Sequence, residues 1–276
     1  MKGKVCIITG ANSGIGKATA IGLAKMGATI VMVCRNKERG ERAQKEIIQS
    51  IGNRNVDLLL CDLSSQDQIR NLVNDFKQNY QKLHVLINNA GLMLSKRQLS
   101  VDGIEMNFAV NYLAPFLLTN LLLDMLKMSA PSRIINMSSG YHKRAALDFN
   151  DLQGENKKYG LVKAYGISKL ALTMFTYELS RRLEGTGVTV NAVHPGVVNT
   201  NLGRDQSKFS QAIATVFFKK PSKGAETSIY LASSREVEGV TGKYFVNKQP
   251  KESSEASYNK DYAKKLWEMS VKMTNL

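Results

Sequence analysis

Apolar residues follow two alternating patterns along this chain. Short unbroken runs occupy residues 5–9, 29–33, 56–61, 85–88, 134–138 and 188–193. Between them lie longer stretches, 14–26, 37–50, 66–80, 104–128 and 164–183, with helical spacing or helix-forming composition. The first pattern predicts strands covered on both faces, the second helices. Their alternation predicts βαβ units joined in a parallel sheet. Pro115 falls inside 104–128 and should kink or divide that helix, because proline lacks an N–H and crowds the preceding turn. No Pro/Gly/Ser-rich linker interrupts the pattern, so residues 1–276 are expected to form one doubly wound α/β domain with a parallel sheet of about seven strands. Two long connections, 140–163 and 199–221, break the alternation, and long connections in compact domains are often functional. The tail, 251–276, reads as a polar stretch followed by an amphipathic helix holding Trp267.

A chain of 276 residues, 43% of them hydrophobic, can bury its core without a metal or disulfide. Cys6, Cys34 and Cys61 are odd in number and lack a CxxC spacing. Each lies in or at the end of a strand-like run, which suits buried, reduced thiols of a cytosolic protein. His84, His142 and His194 are scattered without metal-ligand spacing, so no metal site is expected. The first strand begins within a few residues of Met1, leaving no room for a signal peptide, and no apolar run reaches the roughly 18 residues of a membrane span. A cytoplasmic location is the expectation. The net charge of +15 could reflect nucleic acid, an anionic membrane surface, or a basic surface that attracts an anionic cofactor. The basic residues are spread along the chain, so specific nucleic-acid binding is not expected.

The first strand runs into Thr9-Gly10-Ala11-Asn12-Ser13-Gly14-Ile15-Gly16, and a helix follows. Small residues there allow a sharp turn, and the backbone N–H groups of a helix start, around Ser13, Gly14, Ile15 and Gly16, favour a pyrophosphate. This is the setting of a Rossmann-type dinucleotide fold, although the spacing is G-x-x-x-G-x-G and not G-x-G-x-x-G. Where NAD-binding folds carry an acidic residue for the ribose 2′-OH, at the end of the second strand, this chain has Cys34 followed by Arg35. A guanidinium grips a phosphate with charge and two hydrogen bonds, which predicts NADP(H). The alternative is that Arg35 only begins a solvated helix with Lys37 and Arg39.

Tyr165 and Lys169, four residues apart, share a face of their predicted helix. A nearby ammonium favours the phenolate and lowers its pKa, so the pair suits general acid/base work. Alone, Y-x-x-x-K is common by chance. Its context is not: Asn88-Asn89-Ala90-Gly91 follows the fourth strand, Asn136-Met137-Ser138-Ser139 the fifth and His194-Pro195-Gly196 the sixth. Together with the glycine turn, and in this order over nearly the whole chain, these motifs resemble the short-chain dehydrogenase/reductase family. The resemblance implies that Tyr165 passes a proton to the substrate oxygen and that Ser139, rather than Ser138, hydrogen-bonds it. Lys169 would hold the nicotinamide ribose and tune Tyr165, and Asn111 would support a water relay to the lysine. Gly10 and the turn after it would cradle the coenzyme, Asp62 would contact adenine, Asn89 and Ala90 the adenosine ribose, and Val198 and Thr200 the carboxamide. Asn88 and Asn89 could instead close a turn, Asn111 cap or kink its helix, and Thr200 begin a loop.

Phe149-Asn150-Asp151-Leu152-Gln153-Gly154-Glu155, Val110-Asn111-Tyr112-Leu113, Phe116-Leu117-Leu118-Thr119 and Trp267 look like the retinol dehydrogenase-like branch. That branch implies NADPH-dependent reduction of retinal and other lipophilic aldehydes or ketones. The chain departs from it at Tyr112, at Ala114-Pro115 and at Gly166-Ile167, and in lacking the N-terminal membrane segment common there. In 199–221, Phe209, Ile213, Val216, Phe217 and Phe218 could form a lid helix over the substrate, the favoured reading, or dock on a membrane with Lys208, Lys219 and Lys220. The function expected is interconversion of a carbonyl and an alcohol. The contrasting expectation is a catalytically silent NADP-binding regulatory or scaffold protein, which the intact Asn111, Ser139, Tyr165 and Lys169 set disfavours. Family analogy points to a homodimer or homotetramer, and a monomer remains open.

Overall fold

The computed structural model describes residues 1–156, 158–196 and 220–276. Its centre is a sheet of eight strands: β1 (Val5–Thr9), β2 (Thr29–Cys34), β3 (Val56–Leu60), β4 (Val85–Asn88), β5 (Ser132–Met137), β6 (Val188–His194), β7 (Tyr244–Val246) and β8 (Gln249–Lys251). Their order is β3-β2-β1-β4-β5-β6-β7-β8. The first seven are parallel, as the continuous apolar runs predict, and β8 adds an antiparallel edge. β8 escaped the sequence pattern because all three of its residues are exposed. It exists through the β7–β8 turn, where Asn247 and Lys248 both take positive φ, 52° and 65°. That backbone is the one a tight two-residue hairpin requires.

Helices cover both faces. Ile15 and Leu23 of α1 (Gly14–Lys25), Ile47 of α2 (Lys37–Ile51) and Leu231 of α8 (Pro221–Ser233) share one core with Ile8, Ile30 and Ile87. The opposite core joins Phe76 of α3 (Gln66–Asn79), Phe116 of α5 (Ala114–Leu121), Phe175 of α7 (Leu161–Arg182) and Leu266 of α9 (Lys260–Thr274) to Ile7, Leu86 and Ile134. Asn36 and Ser65 cap α2 and α3, accepting hydrogen bonds from the N–H groups of Arg39 and Gln68. Among the described residues, no helix is long and apolar enough to cross a membrane.

The stretch 104–128 is helical and divided, but the division does not fall at Pro115. It comprises α4 (Met106–Phe108), a π-helical turn (Ala109–Leu113), α5 and α6 (Leu123–Met128). Pro115 lies in the first turn of α5, where a missing N–H is tolerated. The wider π turn takes up the disruption just before it, and the division between helices falls at Leu122. The tail is integral to the domain. Trp267 packs its ring 5.0 Å from that of Phe116 under the Arg182 guanidinium, and the Tyr112 and Ser270 hydroxyls are 2.6 Å apart. The departure at Tyr112 is therefore a lock on α9: the side chain is buried between Phe108, Phe116 and Phe175.

Candidate active site

The strand order reverses between β1 and β4, and ligands of open α/β sheets bind at that switch, beyond the carboxyl ends of the strands. The glycine turn sits there. Gly10 and Gly14 have φ of 68° and 55°, and Gly10 donates to the Val33 carbonyl at 2.8 Å. Thr9 knots the turn to β4: its hydroxyl oxygen accepts from Asn89 N–H and Ala90 N–H, both at 2.9 Å, while the Asn89 amide donates to the Thr9 carbonyl at 2.7 Å. Asn89 thus holds the turn itself, and Ala90 faces it, 3.0 Å from where a Gly10 Cβ would stand. A Cβ on Gly16 would stand 2.4 Å from the Gly10 carbonyl oxygen. Ser13 precedes α1 without a side-chain cap bond, so the helix start with Gly14, Ile15 and Gly16 keeps backbone donors for an anion. The cradle fits a pyrophosphate. Gly16→Ala is expected to force the turn apart, costing about 1–3 kcal/mol of stability, and to weaken coenzyme binding; thermal melting and a coenzyme titration would show both losses.

Arg35 and Asp62 follow β2 and β3 and meet at 3.7 Å, Arg35 being largely exposed. Asp62 is held by the Ser64 N–H and hydroxyl, at 3.0 and 2.7 Å. Cys34 turns inward under the glycine turn, where burial pushes its thiol up to about 11 against backbone hydrogen bonds from Asn12 and Ala11. Cys6, Cys34 and Cys61 are all buried free thiols.

Asn88, Asn136 and their helices form a buried polar ladder. The Asn88 amide donates to Thr119 and to the Asn136 carbonyl oxygen, at 3.1 and 2.8 Å, and Asn136 donates to Thr176 at 2.9 Å. This ladder fixes β4 and β5 against α5 and α7. Asn111, in the π turn, donates to the Leu92 carbonyl at 2.9 Å and to Ser168 at 3.0 Å, and accepts from Leu92 N–H at 2.8 Å. Gly91 brings the chain between Asn111 and Lys169: a Cβ there would stand 3.1 Å from Asn111 Oδ1 and 3.5 Å from Lys169 Nζ.

Ser138 and Ser139 part company. Ser138 is buried, its hydroxyl 2.8 Å from Thr173. Ser139 caps a 3-10 turn (Gly140–Arg144), its hydroxyl accepting from the Tyr141 N–H at 3.4 Å and lying close enough to the Tyr165 phenol to favour its ionised form. Tyr165 is buried, with the Tyr141 ring edge-on at 5.8 Å and Lys169 Nζ 5.6 Å from its ring centre. Lys169 is itself buried and donates to the Met137 carbonyl at 2.8 Å. Gly166, a departure from the branch, permits this packing, because a Cβ would approach the Tyr141 carbonyl to 3.0 Å. Gly166→Val should therefore push the Tyr141 carbonyl away from α7 and cost about 1–3 kcal/mol of stability, which urea unfolding checks.

The charge expectation is corrected. Burial pushes the Tyr165 phenol up to about 12, opposed by the Ser139 hydroxyl and assisted by Tyr141, and burial pulls the Lys169 amine down to about 7. At the pH where the phenol would ionise the amine is neutral, so it offers no charge to hold a phenolate. In this state Tyr165 is a protonated acid. Lys169 binds fewer protons folded than unfolded between its folded value of about 7 and its ordinary 10.5, so its contribution to stability rises with pH across that window. Lys169→Met should be more stable than the original chain near pH 7, with the gap closing by up to about 1.4 kcal/mol per pH unit on the way to pH 10. Urea unfolding at several pH values tests the sign.

Val198 and Thr200, and the lid residues Phe209, Ile213, Val216, Phe217, Phe218, Lys208 and Lys219, lie outside the described residues. The other sequence-predicted residues converge on the carboxyl edge of the sheet. Thr9, Tyr141 and His142 were missed. Thr9 adjoins the glycine motif and was legible there; Tyr141 and His142 sit in an irregular loop whose side-chain directions have no local signal.

The model of the short chain dehydrogenase family matches residues 4–211. The chain belongs to this family. It is 44% identical to retinol dehydrogenase 13 of Mus musculus over 99% of its own length and 84% of that protein's. It is also 44% identical to retinol dehydrogenase 14 of Homo sapiens, over 100% and 88% of the two chains. These matches set it in the retinol dehydrogenase-like branch. Among solved structures, a putative uncharacterized protein from Mycobacterium Paratuberculosis superposes with a TM-score of 0.82 at 31% identity, covering 99% of this chain and 94% of that one. The protein is a short-chain oxidoreductase of a family that uses a nicotinamide coenzyme, on a Rossmann-type fold.

Proposed function

We propose that this enzyme reduces lipophilic aldehydes or ketones to alcohols with NADPH. The observation that carries the reading is the buried Tyr165 phenol, kept protonated by its surroundings, beside Lys169 at the carboxyl end of β5. The bound nicotinamide supplies the hydride. Ser139 and Tyr165 hydrogen-bond the substrate oxygen, and the Tyr165 hydroxyl gives up its proton as negative charge develops there. Lys169 holds the coenzyme ribose and, with Asn111 beside Gly91, returns a proton toward the phenol. Arg35 takes the 2′-phosphate, Asp62 the adenine, and the turn from Gly10 to Gly16 the pyrophosphate. The exposed part of Tyr141, edge-on to Tyr165, gives the mouth an aromatic wall suited to an apolar substrate. The retinol dehydrogenase names of the relatives point the same way and make a retinal-like substrate the first to try.

Loss of NADPH absorbance is the test, measured with all-trans-retinal, nonanal, benzaldehyde and a ketone panel. Turnover with NADPH well above that with NADH is expected. Absence of turnover on every carbonyl with both coenzymes would defeat the reading.

A further inference from the structure

We propose that His142 is a positioning residue that ties the C-terminal segment to Ser139 and so holds Ser139 on Tyr165; this rests on the acid role proposed for that pair. His142 is fully buried, on the 3-10 turn that Ser139 caps. Its Nδ1 lies 2.6 Å from the Ser139 carbonyl oxygen, and its Nε2 accepts from Ser254 N–H at 3.0 Å. A carbonyl only accepts, so Nδ1 carries the proton; an N–H only donates, so Nε2 is bare. The two contacts select one neutral tautomer. Protonation would cost the Ser254 bond, and burial opposes it, as does Lys143.

The far end of this link is anchored. Ser253 shares its hydroxyl with Tyr177, at 2.7 Å, and with Ser257, at 2.6 Å, while Tyr177 and Tyr258 stack with centres 5.1 Å apart. Tyr177 stands on α7, the helix that carries Tyr165. The C-terminal segment thus reaches both partners of the proposed acid pair: the tyrosine through their common helix, and the serine through the imidazole. Ser139 also receives the His142 backbone N–H, at 3.2 Å. The ring bond is the shorter of the two and adds the connection to Ser254. With its carbonyl fixed, Ser139 presents its hydroxyl to the phenol from an extended backbone, φ −156° and ψ 152°. A loosened Ser139 reaches Tyr165 in a smaller fraction of turnovers, which lowers kcat more than it raises KM.

Three variants test the link. His142→Leu removes both ring bonds. His142→Asn restores a donor to Ser139, because its amide nitrogen stands as many bonds from the backbone as Nδ1. Ser254→Pro removes the donated N–H and sets its ring Cδ against Nε2, so it breaks the Ser254 link and displaces the imidazole, while φ −74° suits proline and the buried hydroxyl has no partner to lose. Kinetics use NADPH and whichever of all-trans-retinal, nonanal or benzaldehyde has the highest kcat/KM. Expected are a loss of kcat of roughly ten-fold or more in His142→Leu with NADPH KM within about two-fold, recovery of most of it in His142→Asn, and a kcat loss again in Ser254→Pro. Unchanged kcat in His142→Leu, equal damage in His142→Leu and His142→Asn, or unchanged kcat in Ser254→Pro overturns the proposal; the last decides the matter even where His142→Leu does not fold. Turnover by Tyr165→Phe would instead remove the acid reading beneath it.

Discussion

Tyr165→Phe is expected to lower kcat by about 10²–10⁴-fold, the range that a positioned general acid contributes. The rest of the site should stay as it is. Phenylalanine keeps the ring that packs edge-on against Tyr141 and beside Lys169, and it loses only the hydroxyl. Removing both a hydroxyl and its need for a partner from a buried position is close to neutral for stability. NADPH affinity should therefore stay within about two- to three-fold, because the cradle and Arg35 are untouched. Ser139→Ala should follow with a smaller loss. Equilibrium NADPH titration and single-turnover reduction separate the two effects. A variant that turns over at near the original rate would remove the proposed mechanism, whatever its coenzyme affinity.

For Arg35→Asp, the expected result is a change in coenzyme preference. The guanidinium is largely exposed and 3.7 Å from Asp62, a surface pair that adds little to stability, on the order of 0–1 kcal/mol. Its replacement by a carboxylate sets two acids at the ends of β2 and β3, next to the place proposed for the 2′-phosphate. A phosphate loses a bidentate cation and gains a repulsive neighbour, so KM for NADPH should rise on the order of 100-fold, while that for NADH changes by no more than a few-fold. The rise should shrink at high salt, since the groups involved are exposed. Equal effects on both coenzymes would show that Arg35 begins a solvated helix and reads no phosphate.

The elements carrying these two residues were legible because their signals are local. β1 through β4 lie where unbroken apolar runs place them, to within one residue at their ends. The Tyr165–Lys169 spacing needs only a helix to bring both side chains to one face, and α7 supplies it. Positive φ at Gly10 and Gly14 likewise follows from residue type and turn position. β8 had no such signal, since its pairing depends on a left-handed turn at Asn247 and Lys248 and not on an apolar face. Nor did the π turn at Ala109–Leu113: a proline announces disruption, but packing decides which turn absorbs it.

What the amino-acid order determined by itself was the βαβ alternation, the phosphate-binding turn and the identity of the groups able to move a proton, because each rests on contacts within a few residues. The tertiary structure decided their chemical state. It buried Tyr165 and Lys169 together, reversing the shift that a charged lysine beside a tyrosine implies, and it turned Ser138 away from the phenol and Ser139 toward it. It also brought Ser254 to His142 across more than a hundred residues of chain. Desolvation and long-range hydrogen bonding depend on every element packed around a group, and no short window of sequence contains that sum.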